Sequence, residues 1–124
     1  MKIAKWIPQI LLILMFLFAG VMKVITPYDE MLSQMPWAED FSLTTIRIIG
    51  ILEILGALGL FLPVLLKKMT VLVPVAAIAL ALTMVLAMIV HIGRGEPVWN
   101  NIVLLLLSVA VVWIRKDLFI ADNE

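Results

Sequence analysis

No cysteine occurs in the 124 residues, so disulfide exchange, thiolate nucleophiles, cysteine-ligated zinc and iron–sulfur centres lie outside this chain's own chemistry. A single histidine and no clustered acids argue against a self-contained metal site, and a haem would need a distant methionine or a second subunit as its other axial ligand. Charge is scarce too. Charged residues make up 15% and balance to zero formal net charge, and no basic block interleaved with aromatics offers a footprint for nucleic acid. Hydrophobic residues dominate instead: they are 65% of the chain, with a mean hydropathy of +1.19. A soluble domain of this size needs more charge on its surface, so composition indicates an all-α, polytopic membrane protein whose first partner is the lipid bilayer.

Four apolar runs predict an up-and-down bundle of four transmembrane helices in one domain, at about residues 7–25, 45–66, 69–92 and 98–114. The start, MKIAK followed by an apolar run and LFAG, imitates a secretory signal; its full-span length favours an uncleaved first helix, with Pro8 in the first turn. Residues 26–43 form the longest polar stretch, broken by Pro27 and Pro36 and carrying Asp29, Glu30, Glu39 and Asp40. Tyr28, Trp37 and Phe41 there suit a membrane–water boundary, and a short amphipathic helix around 29–35 is expected to lie on the surface. Lys67 and Lys68 make a tight turn, GRGEP at 93–97 makes another, and Leu118, Phe119 and Ile120 are expected at the interface. Four spans put both termini on one side. Lys2, Lys5, Lys67, Lys68, Arg115 and Lys116 collect there, which makes that side cytoplasmic.

The second run, RIIGILEILGALGLFLP from Arg47 to Pro63, holds an acid deep within hydrocarbon. An ionised carboxylate there costs several kcal/mol, so Glu53 must be paired, protonated or turned towards water. Gly50, Gly56 and Ala57 flank it at helical spacing, and small residues let another helix come close. In this topology Lys23, Arg47, Glu53, His91 and Asn101 all fall in the outer half of the bundle, one or two per helix. A shared layer points to one polar pocket. Asn100 and Asn101, at the start of the fourth run, read as its caps.

AGVMK at the end of the first helix, the Arg47–Pro63 motif, and a third helix ending in His91 before GRGEP resemble the DoxX-like family of small membrane proteins, from about Leu11 to Trp113. The resemblance implies a multi-pass protein of a bacterial-type inner membrane, with both termini cytoplasmic. Some relatives are associated with quinone-linked sulfur oxidation or with oxidative and quinone stress. It therefore implies an accessory or quinone-interacting subunit beside a partner oxidoreductase, with Lys23, Arg47, Glu53 and His91 as the family's polar residues. The chain departs from any thiol-redox version by lacking cysteine, and it shows no cofactor motif that would make it a self-sufficient enzyme.

Other readings stay open on the residues themselves. Glu53 can be a structural counter-ion to Lys23 or Arg47, Lys23 can snorkel to headgroups, and Arg47 can anchor a helix end. The chain can then be a non-catalytic scaffold for a partner enzyme. A proton-coupled carrier is the third reading; with four helices it would work as a homo-oligomer.

Overall fold

The computed structural model describes residues 2–121, with side chains from 4 to 119. Among the described residues there is no strand. Helix α1 is Lys2–Ile25, α2 is Tyr28–Gln34, a 3₁₀ turn covers Pro36–Asp40, α3 is Leu43–Leu66, α4 is Leu72–Gly93, α5 is Trp99–Ile114, and α6 is Leu118–Ala121. Three of these are long and apolar enough to cross a membrane, over Ala4–Ile25, Leu43–Leu66 and Leu72–Gly93. Expected as a full span, α5 has only 16 residues. At 1.5 Å per residue it reaches about 24 Å, short of a bilayer's hydrocarbon core of about 30 Å.

Local chemistry sets the boundaries. Ser42 caps α3, its hydroxyl accepting the Thr45 N–H at 3.1 Å, so the helix starts two residues before its expected position. Lys67 ends it in the left-handed region, and Met69 has φ 54 as well. A right-handed helix cannot run through such residues, which is why α4 begins at Leu72 and not at 69. Pro74 then falls in the first turn, where its missing N–H costs nothing. Pro8 was expected in the first turn of α1, but the helix starts at Lys2 and the proline lies inside it. Val98, not an asparagine, is the N-cap of α5, and no side-chain cap bond is made. The expected capping role of Asn100 and Asn101 is thus overturned: both lie within the first turn, past the cap position.

Each long helix buries one narrow stripe. On α1 it is Gln9, Leu12, Phe16 and Gly20; on α3 Ile46, Gly50, Glu53, Ala57, Leu60 and Pro63; on α4 Val73, Ala77, Leu80 and Met84. Steps of three and four residues keep each stripe on one face. The helices pack in a closed ring, α1 on α3, α3 on α4, α4 on α5 and α5 on α1, around a core that includes Leu12, Phe16, Ala57, Leu60, Leu80 and Val111. Many large apolar side chains outside the stripes are exposed, as at Phe18, Leu55, Leu82 and Leu106. Such a surface needs lipid around it.

The backbones of α1 and α3 come close where the two helices cross. A Cβ on Gly20 would stand 2.6 Å from the Gly50 carbonyl oxygen, and one on Gly50 2.7 Å from that of Gly20. Backbone touches backbone there, which only glycine permits. Between α3 and α4 the small residues sit lower: Gly56 receives the Leu80 side chain, and Gly59 faces Ala76.

The loop at 26–42 is folded on itself. Met31, Ala38 and Ile46 form a second buried cluster with Tyr28, Leu32, Met35, Trp37 and Phe41 packed around it. The expected surface helix therefore turns Met31 inward and covers the N-terminal end of α3. At the other end Leu118, expected at the interface with Phe119, packs against the main core, while Phe119 stays exposed. The side chain of Ile120 lies outside the described residues.

Candidate functional site

Gly20 and Gly50 meet, and each precedes a charged residue by three positions. Since α1 and α3 run antiparallel, Lys23 and Glu53 lie on opposite sides of that crossing, about 9 Å apart along the axis. Helical side chains lean towards their own N-terminus. Lys23 accordingly leans down, Glu53 leans up, and Lys23 Nζ comes 2.9 Å from Glu53 Oε1. The missing Cβ of Gly50 is what lets the lysine stem pass, for a methyl there would lie 2.8 Å from Lys23 Cβ. Glu53 is 3% exposed, ten residues (about 15 Å) from the start of α3. The contact with Lys23 is ionic but lies outside hydrogen-bond geometry, so Oε1 receives no directed hydrogen bond.

A cavity of about 440 Å³ opens beside this pair. Lys23 and Glu53 form one wall, Met35, Trp37 and Phe41 the roof, and Met84, His91 and Asn101 the far side. Gly56 and Gly59 hold the lower halves of α3 and α4 together, and higher up Ile49 and Leu52 of α3 and Ala87 and Val90 of α4 line the cavity. The size suits a small organic ligand. A second cavity of about 450 Å³, lined by Pro97, Trp99 and Asn100, shares Trp37, His91 and Asn101 with the first.

Trp37 organises the roof. Lys23 Nζ lies 5.9 Å from its ring centroid, Phe41 packs edge-on at 5.7 Å, and His91 edge-on at 6.2 Å. A cation near an aromatic face is attracted by the ring quadrupole, which gives the lysine a second partner. His91 Nδ1 is 2.8 Å from Glu96 Oε1. The His91 hydrogen bond holds the Glu96 carboxyl below its usual range; burial works against it, and Arg94 adds to it. An ionised carboxylate only accepts, so Nδ1 carries the hydrogen. Arg94 Nη1 donates to Asp40 at 2.6 Å, Nη2 to Glu39 at 3.1 Å, and Nε to Glu96 at 3.2 Å. The guanidinium ties the roof to the turn after α4. These three carboxylates push the Arg94 pKa further up.

Of the five residues expected to form one pocket, Lys23, Glu53, His91 and Asn101 line this cavity and Arg47 does not. Arg47 Nη1 donates to the carbonyls of Lys23 at 3.0 Å and Thr26 at 2.8 Å. Those carbonyls close α1, where a cation suits the negative end of the helix. Asn101 Nδ2 points at Met84 Sδ, 3.8 Å away. Sequence reasoning gave Trp37 to the membrane boundary and missed it as the roof; its place beside Pro36 in an acidic loop was the available signal.

A second polar cluster lies at the opposite end. Gln9 is fully buried; its Nε2 donates to the Leu60 carbonyl and its Oε1 accepts from Arg115 Nε, both at 2.7 Å. Arg115 also stacks on Trp6, 4.8 Å from the ring centroid, and desolvation lowers its pKa. This cluster ties α1, α3 and the end of α5 together, and the site at Glu53 does not reach it.

Apolar helices around a buried ion pair, with a cavity at its side, define a helical membrane protein with an internal polar site. Nothing matches this chain among curated proteins, and nothing among solved structures. The DoxX-like family model matches residues 7–114. The chain belongs to the DoxX-like family.

Proposed function

We propose that this protein binds a quinone in the cavity beside Glu53, as an accessory to a partner oxidoreductase in redox or quinone-stress metabolism of a bacterial-type inner membrane. The observation that carries the reading is the convergence of Lys23, Glu53, His91 and Asn101 on one otherwise apolar cavity. A quinone carbonyl accepts hydrogen bonds, which Lys23 Nζ and Asn101 Nδ2 supply. The hydroxyl of the reduced form donates to Glu53 Oε1, the buried oxygen without a directed donor. The chain's residues bind, orient and handle protons; electrons come from the partner.

In this reading α5 is the fourth crossing. Trp99 and Trp113 stand 75% and 69% exposed at its two ends, as interfacial belts require, and local thinning of the bilayer accommodates its short length. Both termini are cytoplasmic, and the cavity lies in the outer half.

The test is mass spectrometry of quinones and lipids that copurify with the wild type and with Glu53→Gln after gentle detergent extraction. A stoichiometric quinone lost from the variant is the expected result. Identical profiles, with only lowered stability, would overturn it. They would favour the scaffold reading, whose own support is that Lys23 and Glu53 already neutralise one another.

A further inference from the structure

The cavity is not closed by buried side chains alone. Two of its lining residues are among the most exposed on their helices: Leu52 of α3 at 60% and Leu86 of α4 at 64%. Both helices are among those long and apolar enough to cross a membrane, so what surrounds these leucines is lipid. A residue that lines a cavity and also faces the outside marks its rim. Below the rim, Gly56 against Leu80 and Gly59 against Ala76 shut the seam between the helices. Above it, the roof is held by Arg94 on Asp40 and Glu39. The polar groups, Lys23, Glu53, His91 and Asn101, line the same cavity that this apolar rim borders.

We propose that the cavity has a sideways mouth between the outer halves of α3 and α4, rimmed by Leu52 and Leu86, and takes an amphiphile directly from the bilayer. The head group passes between the helices to the Lys23–Glu53 pair under Trp37. The apolar tail stays between Leu52 and Leu86, in contact with lipid. Such a ligand never leaves hydrocarbon on its way in, so its tail pays no desolvation cost at entry. The head exchanges lipid for a place where a buried carboxylate oxygen, Glu53 Oε1, lacks a directed donor. The proposal deepens the quinone reading and rests on it for the choice of first probe.

The test reconstitutes the full chain in nanodiscs and follows uptake of decylubiquinone by mass spectrometry of the washed protein. Leu52→Trp/Leu86→Trp fills the rim. Leu55→Trp/Leu82→Trp is the reference, because Leu55 and Leu82 are 56% and 59% exposed on the same helices and do not line the cavity. Thermal unfolding confirms that both variants are folded. The expected result is uptake slowed tenfold or more by the rim pair and unchanged in the reference. Equal uptake in all three overturns the mouth and leaves quinone binding standing. If the wild type takes up no quinone, the quinone reading fails, and the mouth is judged with a phosphatidylcholine carrying a photoreactive acyl chain. Cross-links to Met84 and Ala87 inside the cavity, lost in the rim pair, sustain it; cross-links confined to outward-facing residues overturn it.

Discussion

At Glu53 the physical question is what a buried carboxylate costs and what offsets it. Lys23 supplies the charge, and removing either partner leaves the other stranded in an apolar wall. Breaking a fully buried pair costs about 3–5 kcal/mol. Lys23 keeps 14% of its side chain exposed and can retreat outward, so Glu53→Gln should cost less, about 1–3 kcal/mol, whereas Lys23→Met strands a carboxylate that is only 4% exposed and should cost about 3–5 kcal/mol. The double variant should be closer to the wild type than either single one, which chemical unfolding in detergent will measure; additive losses would mean that the two charges act independently. Gly50 is tested in the same way. Gly50→Ala puts a methyl into the Gly20 backbone and the Lys23 stem, with an expected loss of about 1–3 kcal/mol. Gly93→Ala meets nothing within 4 Å and should be neutral or slightly stabilising. Equal effects at both positions would remove the close crossing from the account. Glu53 and Lys23 were legible in the sequence because a charge stands out in an apolar run. Gln9 was not, since a lone amide near the start of a helix has no distinctive spacing, and its partner Arg115 lies 106 residues away.

Among the elements, the roof differs from the helices beneath it because polar contacts clasp it. Arg94 reaches Asp40 and Glu39 from the turn after α4, and His91 and Arg94 both engage Glu96. Glu96 titrates below its ordinary value of 4.5 when folded, chiefly because His91 donates to it. A group whose folded pKa is depressed stabilises the fold above its unfolded pKa and loses that contribution as pH falls through the folded one. Thermal stability of the wild type should therefore lose this contribution progressively as pH drops below about 4.5. In Glu96→Gln the neutral-pH stability is lower and that part of the acid decline is missing; parallel curves for the two proteins would exclude Glu96 as its source. The positions of the long helices were readable because apolar runs, prolines and lysine turns bracket them. The fold of residues 26–42 was only half readable. Met31 and Trp37 look like interfacial residues in a polar stretch, and only the tertiary contact with Ile46 turns the segment inward.

For the whole molecule, the open quantity is how many times the chain crosses the bilayer, and α5 decides it. Its 16 residues fall short of the usual span, yet it packs against both α4 and α1 and so closes the ring. A helix wedged between two spanning helices has no water-filled alternative, and its own surface is apolar at Val103, Leu106 and Val109. Four crossings put Lys116 on the side of Lys68; three would leave it on the side of Asp29. The absence of native cysteine makes this directly measurable, because any introduced thiol is unique. Asp29→Cys, Lys68→Cys and Lys116→Cys all lie at exposed positions. In intact spheroplasts a membrane-impermeant maleimide should modify Asp29→Cys alone, and the other two only after permeabilisation. Labelling of both Asp29→Cys and Lys116→Cys from outside would make α5 a re-entrant element and the protein a three-span one. Labelling of Lys68→Cys from outside would invert the molecule. The acids of the roof would then face the cytoplasm, and the cavity with its Lys23–Glu53 pair would exchange protons with the other compartment.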